Sequence, residues 1–267
     1  YTAAMADGTL GLIGAGRLAG ALVAGWTGAD PACAARIIAT DRIEGVAEAL
    51  GVGVRATPAE VAADADLVLL LVKPQDIPAA AREVGGALKA GAAVASAAAG
   101  IELATIRAEL PADTPAARFM PNIPFAVGGG VAGVCGDDAA TAPLTAWLET
   151  SGTVVAVDEA MFDAVTAISG SGPGMLAYVV EALAEAARAV GFDDADAERL
   201  AVMTFAGTGR YLAETGESAT ALRERVTSPG GTTAAGIAAL EEAGLREAMT
   251  AAAIAARDRG VELRGGA

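Results

Sequence analysis

The sequence predicts an α/β protein, with a doubly wound parallel sheet over residues 1–157 and an all-α region over residues 158–267. Three observations carry this. Short apolar runs alternate with helical patterns through the first half, the order that builds parallel sheets by right-handed crossovers. One run, Leu67-Val68-Leu69-Leu70-Leu71-Val72, is apolar throughout, as in a central strand covered on both faces. From Asp158 onward the strand signal stops and long helical periodicities take over.

In order, Leu10–Ile13 reads as the first strand, followed by a Gly-rich turn and a helix to about Trp26. Arg36–Thr40 is a second strand, Ile43–Leu50 helical, and Val52–Val54 a short third strand. After the central run come strands at Ala92–Ser96 and Ala116–Phe119. The half closes with strand Val131–Val134, helix Ala139–Glu149 and strand Thr153–Val157. The second half reads as helices Met175–Val190 (ended by Gly191), Ala195–Glu214, Thr220–Val226, Thr232–Glu242 and Leu245–Arg259. Met175–Val190 is apolar on nearly every side, so it must be covered all round. A region this small can hardly do that alone, which points to an intertwined homodimer and an all-α dimerisation domain, with burial within the monomer as the alternative.

Composition narrows the chemistry. Hydrophobic residues make 54% of the chain, enough for a sizeable core. There are 18 basic against 33 acidic residues, a formal net charge of −15, so nucleic acid and anionic membranes are poor partners. Histidine is absent, which excludes Ser-His-Asp and Cys-His nucleophiles, imidazole bases and His-ligated zinc. Cys33 and Cys135 form no C-x-x-C and read as buried thiols of a cytosolic protein, with no metal site implied. Tyr1–Gly8 has neither a basic region nor a continuous apolar core, so no targeting segment is read there. The apolar stretches are broken by Asp, Glu, Arg or Gly well before the roughly 18 residues a membrane span needs. A soluble, cytoplasmic protein is expected.

Gly14-Ala15-Gly16-Arg17-Leu18-Ala19 lies between the first strand and the first helix in the pattern G-x-G-x-x-A. Gly14 permits the tight turn, Gly16 lets the backbone approach a pyrophosphate at the helix N-terminus, and Ala19 packs helix on strand. Asp41 follows 22 positions past Ala19, at the end of the second strand. This is the fingerprint of a Rossmann-type dinucleotide domain. Asp41 would accept from a free ribose 2′-OH, whereas Arg42 beside it would favour a 2′-phosphate. The reading leans to NADPH and leaves NADH open.

Four further clusters follow. Val72-Lys73-Pro74 ends the central strand, at the sheet edge where ligands bind. Arg118-Phe119-Met120-Pro121-Asn122-Ile123-Pro124 reads as a proline-stiffened loop. Ser169-Gly170-Ser171-Gly172-Pro173 and Thr227-Ser228-Pro229-Gly230-Gly231-Thr232-Thr233 each open a helix, where free N–H groups and hydroxyls suit a carboxylate, although simple capping reads equally well.

Taken together and in this order, these clusters resemble pyrroline-5-carboxylate reductase from Gly11 to about Leu263, most specifically at Ala167–Pro173 and Val226–Thr233. The resemblance implies NAD(P)H-dependent reduction of 1-pyrroline-5-carboxylate to L-proline, the last step of proline biosynthesis. It also implies dimers, often assembled into decamers. By resemblance, Gly14, Ala15, Gly16, Arg17, Leu18 and Ala19 hold the pyrophosphate, and Asp41 and Arg42 face the adenosine ribose. Val72, Lys73, Pro74, Ala97, Ala98 and Ala99 line the cofactor path, and Asn122 approaches the nicotinamide. Ser228, Pro229, Gly230, Gly231, Thr232 and Thr233 hold the substrate carboxylate, and the Thr233 hydroxyl meets the pyrroline nitrogen as the catalytic group. Two departures stand out: Gly174-Met175, where the family commonly has Ala and an aromatic, and Pro58, near where many members have Asn.

The chemistry suits a chain without histidine. A cyclic imine can arrive protonated, so hydride transfer to its carbon needs alignment more than a strong acid. Alcohol dehydrogenation would need a base. The β-hydroxyacid dehydrogenases share the two-domain layout but have a lysine on the helix after the Gly-rich motif, and no lysine follows Lys89 here. A dinucleotide-binding regulatory protein would have no need of the Thr227–Thr233 loop.

Overall fold

The computed structural model describes residues 7–265. Most of Tyr1–Gly8, where no targeting segment was expected, lies outside the described residues. Contacts divide the chain into two units: one up to Pro173 that also takes in the chain from Ala256 on, and one from Gly174 to Ala255. The sequence boundary at 157/158 falls where the last strand ends, ahead of this division.

The first unit is built on an eight-stranded sheet in the order β3-β2-β1-β4-β5-β6-β7-β8. Its strands are β1 (Leu10–Ile13), β2 (Ile37–Thr40), β3 (Gly53–Val54), β4 (Leu67–Leu70), β5 (Ala93–Ser96), β6 (Ala116–Met120), β7 (Gly130–Gly136) and β8 (Gly152–Ala156). All neighbours run parallel except β6 and β7, which are antiparallel. The sheet is parallel-dominated as expected, with this one pair reversed. Residues 121–129, with a single 3₁₀ turn at Ile123–Val127, are too short for a crossover that would bring β7 in parallel.

Helices α1 (Arg17–Ala29), α2 (Pro58–Asp64), α3 (Ile77–Gly85), α4 (Leu103–Arg107), α5 (Asp138–Leu148) and α6 (Phe162–Val165) complete this unit. The period-2 alternation of strand side chains splits the core into two layers. Leu10, Leu12, Leu67 and Leu69 pack with Leu22 and Trp26 of α1 and Leu144 and Trp147 of α5. Ile13, Val68, Leu70 and Val94 pack with Val61 of α2, Val84 of α3 and Ile106 of α4. Trp26 and Trp147 meet edge to face, with centroids 5.3 Å apart. Helices α2, α3 and α4 carry little sequence signal, because they are short and start with prolines or lie among loops. Pro58 has a local reason: it is at the start of α2, where Thr57 Oγ1 accepts the Glu60 N–H at 3.2 Å.

One helix expectation is corrected here and another refined. Ile43–Leu50 forms turns ending in a 3₁₀ turn at Glu48–Leu50, because Gly45 adopts φ +83° and so leaves the right-handed helix. Ser169–Pro173 does open α7, which begins at Gly172, but not as a free end. Thr166–Gly170 is a π turn that follows α6 directly, in which the Ser171 N–H donates to the Thr166 carbonyl at 2.7 Å.

The second unit is helical, with most of α7 (Gly172–Ala189), then α8 (Asp194–Thr215), α9 (Ala219–Arg225), α10 (Thr232–Glu242) and the first part of α11 (Leu245–Gly265). Among the described residues no helix is long and apolar enough to cross a membrane.

Candidate active site

The strand order reverses between β1 and β4, and this is where open α/β sheets bind ligands beyond their carboxyl ends. The turn after β1 lies there. Gly14 has φ +97°, donates its N–H to the Thr40 carbonyl at 2.9 Å, and has the Leu71 backbone 3.0 Å from where a Cβ would stand. Only glycine fits the turn without strain. Gly16 differs: among the described residues, its own two neighbours aside, no atom lies within 4 Å of where a Cβ would stand. Its smallness serves no packing within the chain and leaves a cradle open beside the start of α1. No side chain caps α1 and its first turn holds no acid, so its amides and dipole are available to an anion. These features fit a dinucleotide pyrophosphate.

The other expected cofactor residues lie along the same edge. Asp41 and Arg42 follow β2, Val72-Lys73-Pro74 follow β4, Ala97–Ala99 follow β5 and Asn122 follows β6. Arg17, Arg42, Lys73 and Pro74 are exposed, while Ala15, Ala19 and Ala98 are buried. The Ala97 N–H donates to the Leu70 carbonyl and the Ala98 N–H to Ser96 Oγ, which ties the end of β5 to β4.

Asp41 is engaged within the protein. Its Oδ2 accepts the Ala15 N–H at 2.8 Å and its Oδ1 the Ile43 N–H at 2.9 Å, so it braces the Gly-rich turn. Arg42 keeps 71% of its side chain exposed and has Asp76 at 3.5 Å. Asn122 is also a tie: its Nδ2 donates to the Ser169 carbonyl at 3.0 Å and its Oδ1 accepts the Val131 N–H at 2.9 Å. It thereby joins the end of β6 to β7 and to the π turn.

Within the helical unit, Ser228–Thr233 form the approach to α10. Gly230 turns the chain with φ +71°, and the Gly231 N–H donates to the Ser228 carbonyl at 3.0 Å. No side chain caps α10 and its first turn carries no acid. Ser228, Thr232 and Thr233 are exposed. This is a second uncapped helix start ready for an anion, with two threonine hydroxyls beside it.

Three comparisons bear on this geometry. The family model described as pyrroline-5-carboxylate reductase dimerisation matches residues 159–263, and one described as NADP oxidoreductase coenzyme F420-dependent matches residues 9–100. A pyrroline-5-carboxylate reductase of Methanosarcina acetivorans is 37% identical over 97% of this chain and 99% of its own. The chain belongs to the pyrroline-5-carboxylate reductase family. A reductase of that name from Corynebacterium melassecola is 39% identical over 96% of this chain and 98% of its own. The solved structure of the Coxiella burnetii pyrroline-5-carboxylate reductase superposes with a TM-score of 0.88 at 32% identity, covering 97% of this chain and 99% of that one. The helical half is accordingly a homo-oligomerisation domain, as its match to the dimerisation model requires.

In this member of the reductase family, sequence reasoning missed one buried ionic group. Arg118 lies in β6, inside the strand expected at Ala116–Phe119, with its side chain only 5% exposed. Its Nη1 donates to Glu159 Oε1 at 2.9 Å, and the same oxygen accepts the Leu103 N–H at 2.6 Å. The guanidinium lies over the Phe162 ring, 4.3 Å from its centroid. Burial pushes the Glu159 carboxyl up, but the Leu103 N–H and Arg118 outweigh it and hold it below the usual range. Arg118 stood in a quoted motif, but nothing in its sequence neighbourhood marks a partner 41 positions away. The two cysteines are free, and burial pushes both thiols up, so neither is poised as a nucleophile.

Proposed function

We propose that this chain reduces 1-pyrroline-5-carboxylate to L-proline, the last step of proline biosynthesis, with NADPH as hydride donor, and that it works as a cytoplasmic homodimer. The observation that carries the reading is the pair of uncapped helix starts, one after G-x-G-x-x-A and one after T-S-P-G-G, in a chain of this family. NADPH supplies a hydride to the imine carbon. With the Gly14 and Ala15 amides bonded to Thr40 and Asp41 and so shaping the turn, the amides of Gly16–Ala19 at the start of α1 hold the pyrophosphate. The exposed Arg42 forks onto the 2′-phosphate, while Asp41, spent on loop amides, has less to offer a 2′-hydroxyl; this favours NADPH over NADH. Val72–Pro74, Ala97–Ala99 and Asn122 line the cofactor path.

On the substrate side, the amides of Ser228–Thr233 and the α10 dipole take the carboxylate. The pyrroline arrives as its iminium, so the ring N–H donates to the Thr233 hydroxyl, which fixes the ring face. After hydride addition to carbon, the nitrogen keeps its proton and leaves as the secondary amine of proline. No imidazole is needed at any step. Five such dimers forming a decamer extends the same reading, and light scattering tests it.

The deciding experiment follows NADPH oxidation with the pyrroline carboxylate. The wild-type enzyme turns over, and Thr233→Ala loses about ten- to a hundredfold in rate, as for a group acting in the transition state. An unchanged rate removes Thr233 from the mechanism.

A further inference from the structure

The loop assigned above to the substrate carboxylate has few ties of its own. Thr227 Oγ1 donates to the Arg223 carbonyl at 2.6 Å, the Thr227 N–H to the Glu224 carbonyl at 3.2 Å, and the Gly231 N–H to the Ser228 carbonyl at 3.0 Å. Each of these runs back to α9 or stays within the loop. The loop therefore starts wherever α9 ends. Yet α9 spans only seven residues, too few to hold itself by its own backbone bonds.

The last residue of α9 supplies the missing anchor. Arg225 Nε donates to Glu217 Oε1 at 3.1 Å and its Nη2 to Glu217 Oε2 at 2.8 Å, a two-pronged fork. The same Nη2 donates to the Tyr211 hydroxyl at 2.9 Å, and the guanidinium lies 5.6 Å from the Tyr211 ring centroid. Tyr211 belongs to the last turns of α8, and Glu217 to the α8–α9 connection. One planar cation thus joins three successive elements. A lysine could not do the same, because its ammonium cannot fork and stack together. The hydrogen bond from Arg225 also holds the Glu217 carboxyl below its usual range, against a smaller opposing effect of burial.

We propose that Arg225 is a positioning residue, whose clamp on Glu217 and Tyr211 fixes the exit of α9 and so holds Val226–Thr233 in the shape that receives the substrate carboxylate. This rests on reading that loop as the carboxylate site. Loss of the clamp should act on substrate binding and leave cofactor binding alone.

The test is steady-state kinetics on the full-length enzyme, varying pyrroline carboxylate and NADPH separately. Arg225→Ala should raise the KM for pyrroline carboxylate about tenfold, the loss of one charge-assisted tie, with kcat within about twofold and the KM for NADPH unchanged. Arg225→Lys should recover part of that loss. Glu217→Gln, which keeps the volume, should give a smaller rise, and combining it with Arg225→Ala should add nothing. An unchanged substrate KM in Arg225→Ala overturns the clamp. So does a parallel loss in kcat and in both KM values, which would mark general unfolding. Thr232→Pro, which removes one loop amide at the first position of α10 where proline is tolerated, runs alongside. If its KM for pyrroline carboxylate matches wild type, the carboxylate reading of the loop has failed; if it is raised while Arg225→Ala is silent, only the clamp has.

Discussion

The two units of this chain bury their apolar residues to different extents. In the sheet unit Leu10, Leu12, Trp26, Leu69, Phe119, Phe125 and Trp147 are nearly or wholly shielded from water. In the stretch from Gly174 to Ala255 the residues that reach that state are alanines: Ala184, Ala197 and Ala201 among those described. Larger side chains there stay open, with Met203 64% and Tyr178 72% exposed. A sheet covered by helices on both faces closes its own core. A few helices with apolar residues on most sides do not, and so much uncovered apolar surface marks an interaction face. Here that difference is met by homo-oligomerisation, since the dimerisation model matches these helices.

The largest effect that would sharpen this contrast lies in the sheet unit. Trp147→Ala removes a buried ring from against Trp26 and should cost about 3–5 kcal/mol in a denaturant titration, equally at all protein concentrations. A concentration-dependent loss would break the contrast. In the helical unit, Met203→Asp places a charge on a face that another copy is expected to cover. Dimer dissociation measured by sedimentation should become about a hundredfold easier, roughly 2.7 kcal/mol, while the spectroscopic signature of the sheet unit stays unchanged. An unshifted dissociation constant would take α8 out of the interface. Smallest is the effect of Arg42→Ala at the sheet edge. The KM for NADPH should rise about tenfold and that for NADH barely move, because only the former carries the 2′-phosphate. Equal changes in both would reassign Arg42 to simple surface charge.

Much of the sheet was legible because buried parallel strands are written as apolar runs. Leu67–Leu70 and Ala116–Met120 lie where such runs predicted them, each with an end shifted by a residue or two. The antiparallel β6–β7 pair was not legible, because direction depends on connection length and on what the intervening turn can span, not on the strand residues themselves. Ile43–Leu50 has helix-compatible residues, but Gly45 takes a left-handed conformation that only its tertiary setting selects. The glycine turn after β1 and the T-S-P-G-G stretch were legible as anion-binding candidates, since both depend on backbone amides at helix starts, which local sequence encodes.

The sequence by itself determined the alternation that makes the sheet, the glycines that free two helix starts, the absence of imidazole chemistry and the resemblance to one reductase family. These are properties of residue type and short spacing, which the chain carries whether or not it is folded. Tertiary structure alone decided that Asp41 braces the Gly-rich turn, that Asn122 ties β6 to β7, that Arg118 is buried against Glu159 and Phe162, and that Arg225 gathers Tyr211 and Glu217. Each of those roles depends on which polar atoms folding brings within 3.1 Å of one another, and linear spacing does not contain that distance.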